Sequence, residues 1–169
     1  LNELIKQDVD WSKVEMFHLD EYVGITDEHP ASFKRYLTDR FVNLVKPGKA
    51  HLIEGSKNPE ETIKELTALI NEKPIDVGLI GIGENGHIAF NDPPANFDSR
   101  EAYIIVDLDE RCKQQQMGEG WFATIDDVPK QAVSMTTYQI MQCKRIVSCV
   151  PHAVKAEAVK NTLLSEEVT

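Results

Sequence analysis

Ile75 to Ile82 reads IDVGLIGI, and it runs without a break into the glycine-rich stretch GIGENGH that ends at His87. A near-continuous apolar run of strand length marks a strand covered on both faces, and such strands belong to parallel sheets flanked by helices. Glycines directly after it prescribe a tight loop at the strand's carboxyl end. That rim is where open α/β sheets hold their ligands. One junction therefore constrains both the architecture and the place to look for chemistry.

The rest of the chain fits that frame. Val14 to Leu19 (VEMFHL) is of strand length and runs into a loop at Asp20-Glu21. From Ser32, the apolar residues Phe33, Leu37, Phe41, Leu44 and Val45 recur at helical spacing until Pro47-Gly48 stops them. Asn58-Pro59-Glu60-Glu61 supplies a cap, a first-turn proline and an acidic first turn for a second helix, with Ile63, Leu66 and Ile70 on its inner face. Tyr103 to Val106, Ala132 to Met135 and the buried-looking Arg145 to Val150 are further strands, and Pro151 starts a helix carrying Ala153, Ala156 and Val159 inward. Strands alternating with helices predict a doubly wound, mostly parallel, Rossmann-like α/β sheet, and 169 residues predict one domain spanning 1–169. Because residue 1 is Leu and the chain stops soon after a helix, the sequence reads as a piece of a longer protein, truncated at both ends.

Charge and cysteine usage remove several function classes. A net charge of −10 with scattered Lys and Arg argues against a nucleic-acid binder, so an anionic ligand needs locally placed cations or backbone N–H groups. No apolar run reaches the length of a membrane span, and no leader pattern opens the chain, so no membrane partner is expected. Cys112, Cys143 and Cys149 lack paired zinc spacing and are odd in number, which predicts free thiols, no metal and a cytoplasmic location.

Two loops carry ionisable groups at strand ends: HLDEYVG, residues 18–24, and GIGENGHIAFND, residues 81–92. Asp20-Glu21 reads either as a solvated turn or as a carboxylate held as a general base. His87 reads either as a structural hydrogen-bonder or as a catalyst whose tautomer Asp92 fixes. Gly81, Gly83 and Gly86 also spell the dinucleotide fingerprint, with Asp107 at the distance of a ribose-binding acid. That fingerprint needs a helix starting inside it, whereas Asn91-Asp92-Pro93-Pro94 breaks the chain at once.

FHLDEYVGI with EHPASF, and then GIGENGHIAFNDP, resemble the two signature segments of the glucosamine-6-phosphate deaminase/isomerase family, which shares its fold with the 6-phosphogluconolactonases. The likeness runs from about residue 14 to residue 160. It implies a cofactor-free enzyme acting on a small sugar phosphate, with a homo-oligomer possible. In that likeness Asp20 is the base that carries a proton between C2 and C1, and His87 opens the sugar ring with Asp92, where most relatives have glutamate, as its partner. Asn85 stands where some members have aspartate. Glu21 and Gly86 join the substrate side, and Lys155 meets the phosphate. Gln116 stands where an arginine binds phosphate in the best-known members, and the family's opening phosphate loop and closing strand and helix have no counterpart here. HIAFND and DEYVG favour the deaminase branch over a lactone hydrolase, and a sugar-phosphate-binding module without turnover is the reading from outside enzymes. The remaining histidines, His18, His29, His51 and His152, read as structural, Trp11, Trp121 and Phe122 as packing, and Met117 to Gly120 as a mobile loop.

Overall fold

The computed structural model describes residues 1–108, 110–118 and 120–165, so Glu119 of the expected loop lies outside the described residues. In chain order the elements are β1 (Glu15–Phe17), β2 (Asp20–Tyr22), α1 (Phe33–Leu37), α2 (Asn43–Val45), β3 (Lys49–His51), α3 (Pro59–Ile70) and β4 (Val77–Ile80), followed by β5 (Tyr103–Asp107), α4 (Glu110–Gly118), β6 (Gln131–Met135), α5 (Thr137–Met141), β7 (Arg145–Ser148) and α6 (Ala156–Leu164). A π-helical stretch, Thr38–Val42, makes α1 and α2 continuous. Met117 and Gly118 close α4 instead of opening a loop.

The expected α/β class holds, with two parallel strand pairs and one antiparallel sheet. β1 runs parallel to β3, with Glu15 opposite Lys49, and β4 runs parallel to β7, with Val77 opposite Arg145. β2, β6 and β5 form an antiparallel sheet in that order. The acidic pair was expected in a loop, but it begins β2, where Asp20 stands opposite Ser134 and Glu21 opposite Val133. Three residues are too few for an alternating pattern to announce a strand, and the pairing with β6 creates this one.

Local chemistry explains the helix starts. The Ser32 side chain accepts from Arg35 N–H at the head of α1, and Asn58 accepts from Glu61 N–H at the head of α3. Each satisfies an N–H that the first helical turn leaves open. Pro151 does not begin a helix directly: a 3-10 turn, Ala153–Lys155, precedes α6, and the residue that α6 buries is Ala158, not Ala153 or Ala156.

Two apolar clusters share β6. Ala132 packs with Tyr22, Ile25, Phe90, Leu108 and Phe122, while Val133 and Met135 pack with Ile53, Leu66, Ile70, Ile80 and Tyr103. The alternation of a strand delivers these residues to its two faces, so β6 is the common wall. β4 and β7 depart from the expected double burial. Val77 and Leu79 remain 51% and 50% exposed, and β7 is exposed along its length, whereas Gly78 and Ile80 turn inward. An apolar groove of about 550 Å³ runs between β1 and β4, bordered by Phe17, Leu19, Val77 and Leu79. Among the described residues no helix is long and apolar enough to cross a membrane.

Candidate active site

β4 ends at Ile80, and the chain then folds back on itself instead of starting a helix. Gly83 N–H donates to the His87 carbonyl at 2.8 Å and Gly86 N–H to the Gly83 carbonyl at 3.2 Å. Gly86 has φ of +91°, a left-handed conformation that side chains disfavour. A reversal this tight offers no helix N-terminus for a pyrophosphate, so the nucleotide reading of the three glycines fails on geometry. Asp107, its proposed ribose ligand, accepts from the Gln131 amide at 2.9 Å at the far end of β5.

The turn instead builds a support for an imidazole. His87 Nδ1 lies 2.7 Å from Asn85 Oδ1 and 3.2 Å from Asp92 Oδ1, and Asn85 Nδ2 donates to that same Asp92 oxygen at 2.9 Å. Both neighbours of Nδ1 are acceptors, which assigns the ring proton to Nδ1 and leaves Nε2 with its lone pair. Burial alone pushes the Asp92 carboxyl up, but His87, Asn85 and the Cys112 thiol together hold it below the usual aspartate range. Asp92 therefore stays ionised and fixes the ring's tautomer.

Asn91 and Ser134, which the sequence reading passed over, anchor this loop to the sheet. Asn91 Nδ2 donates to the Met135 carbonyl at 2.8 Å and to Ser134 Oγ at 3.3 Å, and Phe90 N–H donates to Ser134 Oγ at 3.0 Å. Ser134 is fully buried and stands opposite Asp20 in the β2–β6 register. One hydroxyl on the central strand thus ties the histidine loop to the strand that bears the aspartate. Two buried residues, one in a loop and one in a strand, give no local sequence signal.

Asp20 and His87 line the same cavity, about 1020 Å³ in volume, together with Leu79, Gly81, Gly83 and Lys155. The Asp20 carboxyl is pushed up to about 7, first by burial and then by the charge of Glu21, with His87 opposing. A carboxyl that takes up a proton near neutrality is matched to general base work. Lys155, at the end of the 3-10 turn, lines the cavity, and its ammonium lies 3.8 Å from the Glu84 carboxylate. Tyr36 and Arg40 also border the cavity, with the Arg40 guanidinium 5.7 Å from the Tyr36 ring centre, a second cation that helix periodicity alone did not mark.

Two expected substrate contacts lie elsewhere. Glu21 is 1% exposed and accepts from Ser32 Oγ, Lys34 N–H, Tyr22 N–H and Phe33 N–H at 2.7, 2.8, 3.0 and 3.3 Å. Neighbouring strand residues point to opposite faces, so placing Asp20 on the cavity turns Glu21 onto the head of α1. Gly86 does not border the cavity, whereas Gly81 and Gly83 do. Gln116 is buried and accepts the Tyr22 hydroxyl at 2.6 Å, inside the aromatic cluster of Tyr22, Phe33, Phe90 and Phe122. Phe122 is packed there as expected, while Trp121 is exposed.

Comparison with known proteins places the chain among relatives of one family. The family model described as glucosamine-6-phosphate isomerases/6-phosphogluconolactonase matches residues 1–169. A glucosamine-6-phosphate deaminase of Staphylococcus epidermidis is 38% identical over 175 residues, covering all of this chain and 70% of the relative. One from Streptococcus pneumoniae is 33% identical over 162 residues, covering 95% of this chain and 68% of its own length. Among solved structures, a monomeric glucosamine-6-phosphate deaminase superposes with a TM-score of 0.85 at 31% identity, over 96% of this chain and 69% of that one. A 6-phosphogluconolactonase from Thermotoga maritima superposes with a TM-score of 0.76 at 16% identity, over 95% of this chain and 68% of that one, a likeness of fold alone.

Proposed function

The chain belongs to the glucosamine-6-phosphate isomerase/6-phosphogluconolactonase family, and we propose that it is a deaminase converting glucosamine 6-phosphate and water to fructose 6-phosphate and ammonia. The observation that supports this reading is that Asp20, His87 and Lys155 line one cavity.

The chemistry asks for a proton to leave carbon next to an aldehyde and return one carbon away. His87 Nε2 first takes the proton of the anomeric hydroxyl and passes it to the ring oxygen as the C1–O bond of the ring breaks, which gives the open-chain aldehyde and a free hydroxyl. Asp20 then removes the C2 proton, the electron pair moves through C1 onto the carbonyl oxygen, and that oxygen takes a proton from solvent to form an enolamine. Asp20 returns the proton to C1, which leaves an imine at C2. Water adds to that imine and ammonia departs, giving the ketose. A carboxylate poised near neutrality serves both as acceptor and as donor in this sequence. General base catalysis contributes roughly 10²- to 10⁴-fold, so orientation of a substrate gripped at its phosphate must supply much of the acceleration. The presence of Lys155 on the cavity wall supports its role in that grip, and the contacts of Asn85 and Asp92 with His87 Nδ1 support a fixed tautomer for ring opening.

The test is release of ammonia from glucosamine 6-phosphate, measured beside hydrolysis of 6-phosphogluconolactone. Ammonia with ketose phosphate supports the deaminase. Acid released from the lactone without ammonia supports a lactonase, and tight sugar-phosphate binding with neither product supports a binding module.

A further inference from the structure

Between His87 and Asp92 the chain reverses a second time. Asn91 N–H donates to the Ile88 carbonyl at 3.1 Å, and Asn91 Nδ2 donates to the same carbonyl at 2.8 Å. Ala89, inside this turn, has φ of +53°, a left-handed conformation that costs an alanine and not a glycine. Among the described residues one other non-glycine residue shares it, Lys46, which ends a helix. Ala89 ends no helix, and it borders the cavity that Asp20 and His87 line. Strain of this kind persists only where the surroundings over-determine it. Here the surroundings are the back of the loop. Asn91 is 5% exposed, and its amide has two N–H bonds to place. Nδ2 lies 2.8 Å from both the Ile88 and the Met135 carbonyls, which assigns one proton to each, with Ser134 Oγ a further acceptor at 3.3 Å. One side chain thus closes the turn on itself and fastens it to β6.

We propose that Asn91 is a positioning residue for the proposed reaction: its amide, shared between the Ile88 and Met135 carbonyls, locks the strained turn at Ala89 and so delivers Asp92 to Nδ1 of His87. The inference rests on His87 acting in ring opening. Asn91 itself does not border the cavity, so it acts through the residues on either side of the turn. Asp92 Oδ1 reaches His87 Nδ1 at 3.2 Å because the intervening residues, 88 to 91, fold back. Asn85 also meets Asp92, but it bonds to His87 as well and joins those two side chains to each other. Asn91 joins the segment between them to the sheet. The backbone bond from Asn91 N–H is a single bond set against a left-handed alanine, and the buried amide tips that balance towards the closed turn. Without it the carboxylate draws away from Nδ1, and the ring loses one of the two acceptors that keep its proton there.

The deciding measurement is nitrogen NMR of the imidazoles in the unliganded protein in alkaline solution, set beside steady-state kinetics. Wild-type His87 is expected to carry its proton on Nδ1. Asn91→Ala should turn that signal into a mixture of tautomers. It should also lower kcat by roughly 100-fold, the scale of a misplaced catalytic group, with KM for glucosamine 6-phosphate within a few-fold. Adding Ala89→Gly to that variant should recover about tenfold of the loss, because glycine takes the left-handed turn without the amide's help. A folded N91A whose His87 keeps the pure Nδ1–H form overturns the proposal, and so does a loss of kcat that A89G leaves unrepaired. If neither variant folds, the wild-type protein still decides. The Asn91 side-chain amide protons are expected to resist exchange with solvent, and exchange as fast as that of an exposed asparagine overturns the proposal. Failure of the functional reading looks different: the wild-type protein forms no ammonia, while the His87 tautomer still responds to Asn91→Ala.

Discussion

A methyl group added at Gly83 would lie 2.2 Å from Cε1 and 2.4 Å from Nε2 of His87, so the imidazole rests against bare backbone. The glycine leaves the room that the ring occupies. Gly83→Ala should therefore displace the imidazole and lower kcat by roughly 100-fold, the scale of a misplaced catalytic group. A substitution at Gly86, whose side is open, should act through backbone strain on the melting temperature instead. Steady-state kinetics and thermal melts on the two variants separate these effects, and equal kinetic losses would contradict the assignment.

Asp20→Asn should abolish turnover, leaving below about one per cent of the wild-type rate, while sugar-phosphate affinity changes by only several-fold. Calorimetric titration with the product ketose phosphate beside the ammonia assay gives both numbers. Retention of a tenth of the wild-type rate would remove Asp20 from the role of base.

The same substitution should stabilise the protein in a defined pH window. Asp20 binds its proton more tightly when folded, near 7, than an unfolded aspartate does, near 3.8. Below about pH 4 both states are protonated and the carboxyl costs nothing. As pH rises towards 7 the unfolded state ionises first, and folding pays an increasing penalty that levels off above 7 at no more than about 4 kcal/mol. D20N should thus melt several degrees higher than wild type at pH 8 and at the wild-type temperature at pH 3.5. An equal gain at both values would indicate repacking.

The position of the histidine loop was legible in sequence because its signals are local: an apolar run, glycines that reverse the chain, and paired prolines that forbid a helix. The same holds for α3, where cap, proline and acidic first turn stand in consecutive residues. What escaped is non-local. Glu21 looked like a ligand contact because its fate depends on α1, whose first residues donate to it from 11 to 13 positions away. The Asn91 and Ser134 pair is 43 positions apart, and the antiparallel sheet that brings Ser134 opposite Asp20 depends on β2, a three-residue strand too short to declare itself. Double burial of β4 was inferred from composition, yet composition does not say whether a neighbour is present to cover Val77 and Leu79.

Ser134→Ala follows from that missed pair. It leaves Phe90 N–H without its acceptor in a buried setting, at a cost of about 1–3 kcal/mol. It also loosens the histidine loop against β2. Chemical denaturation should report the stability loss, and kcat should fall while KM for glucosamine 6-phosphate stays within a few-fold.

Lys155→Ala should behave in the opposite sense, raising KM for glucosamine 6-phosphate by about tenfold or more with a smaller change in kcat, as loss of a charge-assisted phosphate contact predicts. Inhibition by inorganic phosphate should weaken in parallel. An unchanged KM would place the phosphate elsewhere on the cavity wall.

The proton-moving groups and the cavity lining have separate foundations. Asp20 and the anchor of the His87 loop sit on the β2–β6–β5 sheet, while Leu79 and Val147 come from the parallel β4–β7 pair. Mutational drift can therefore resculpt one wall to fit a different sugar while the acid-base apparatus opposite it keeps its alignment, a separation that lets substrate preference diverge without reinventing the reaction.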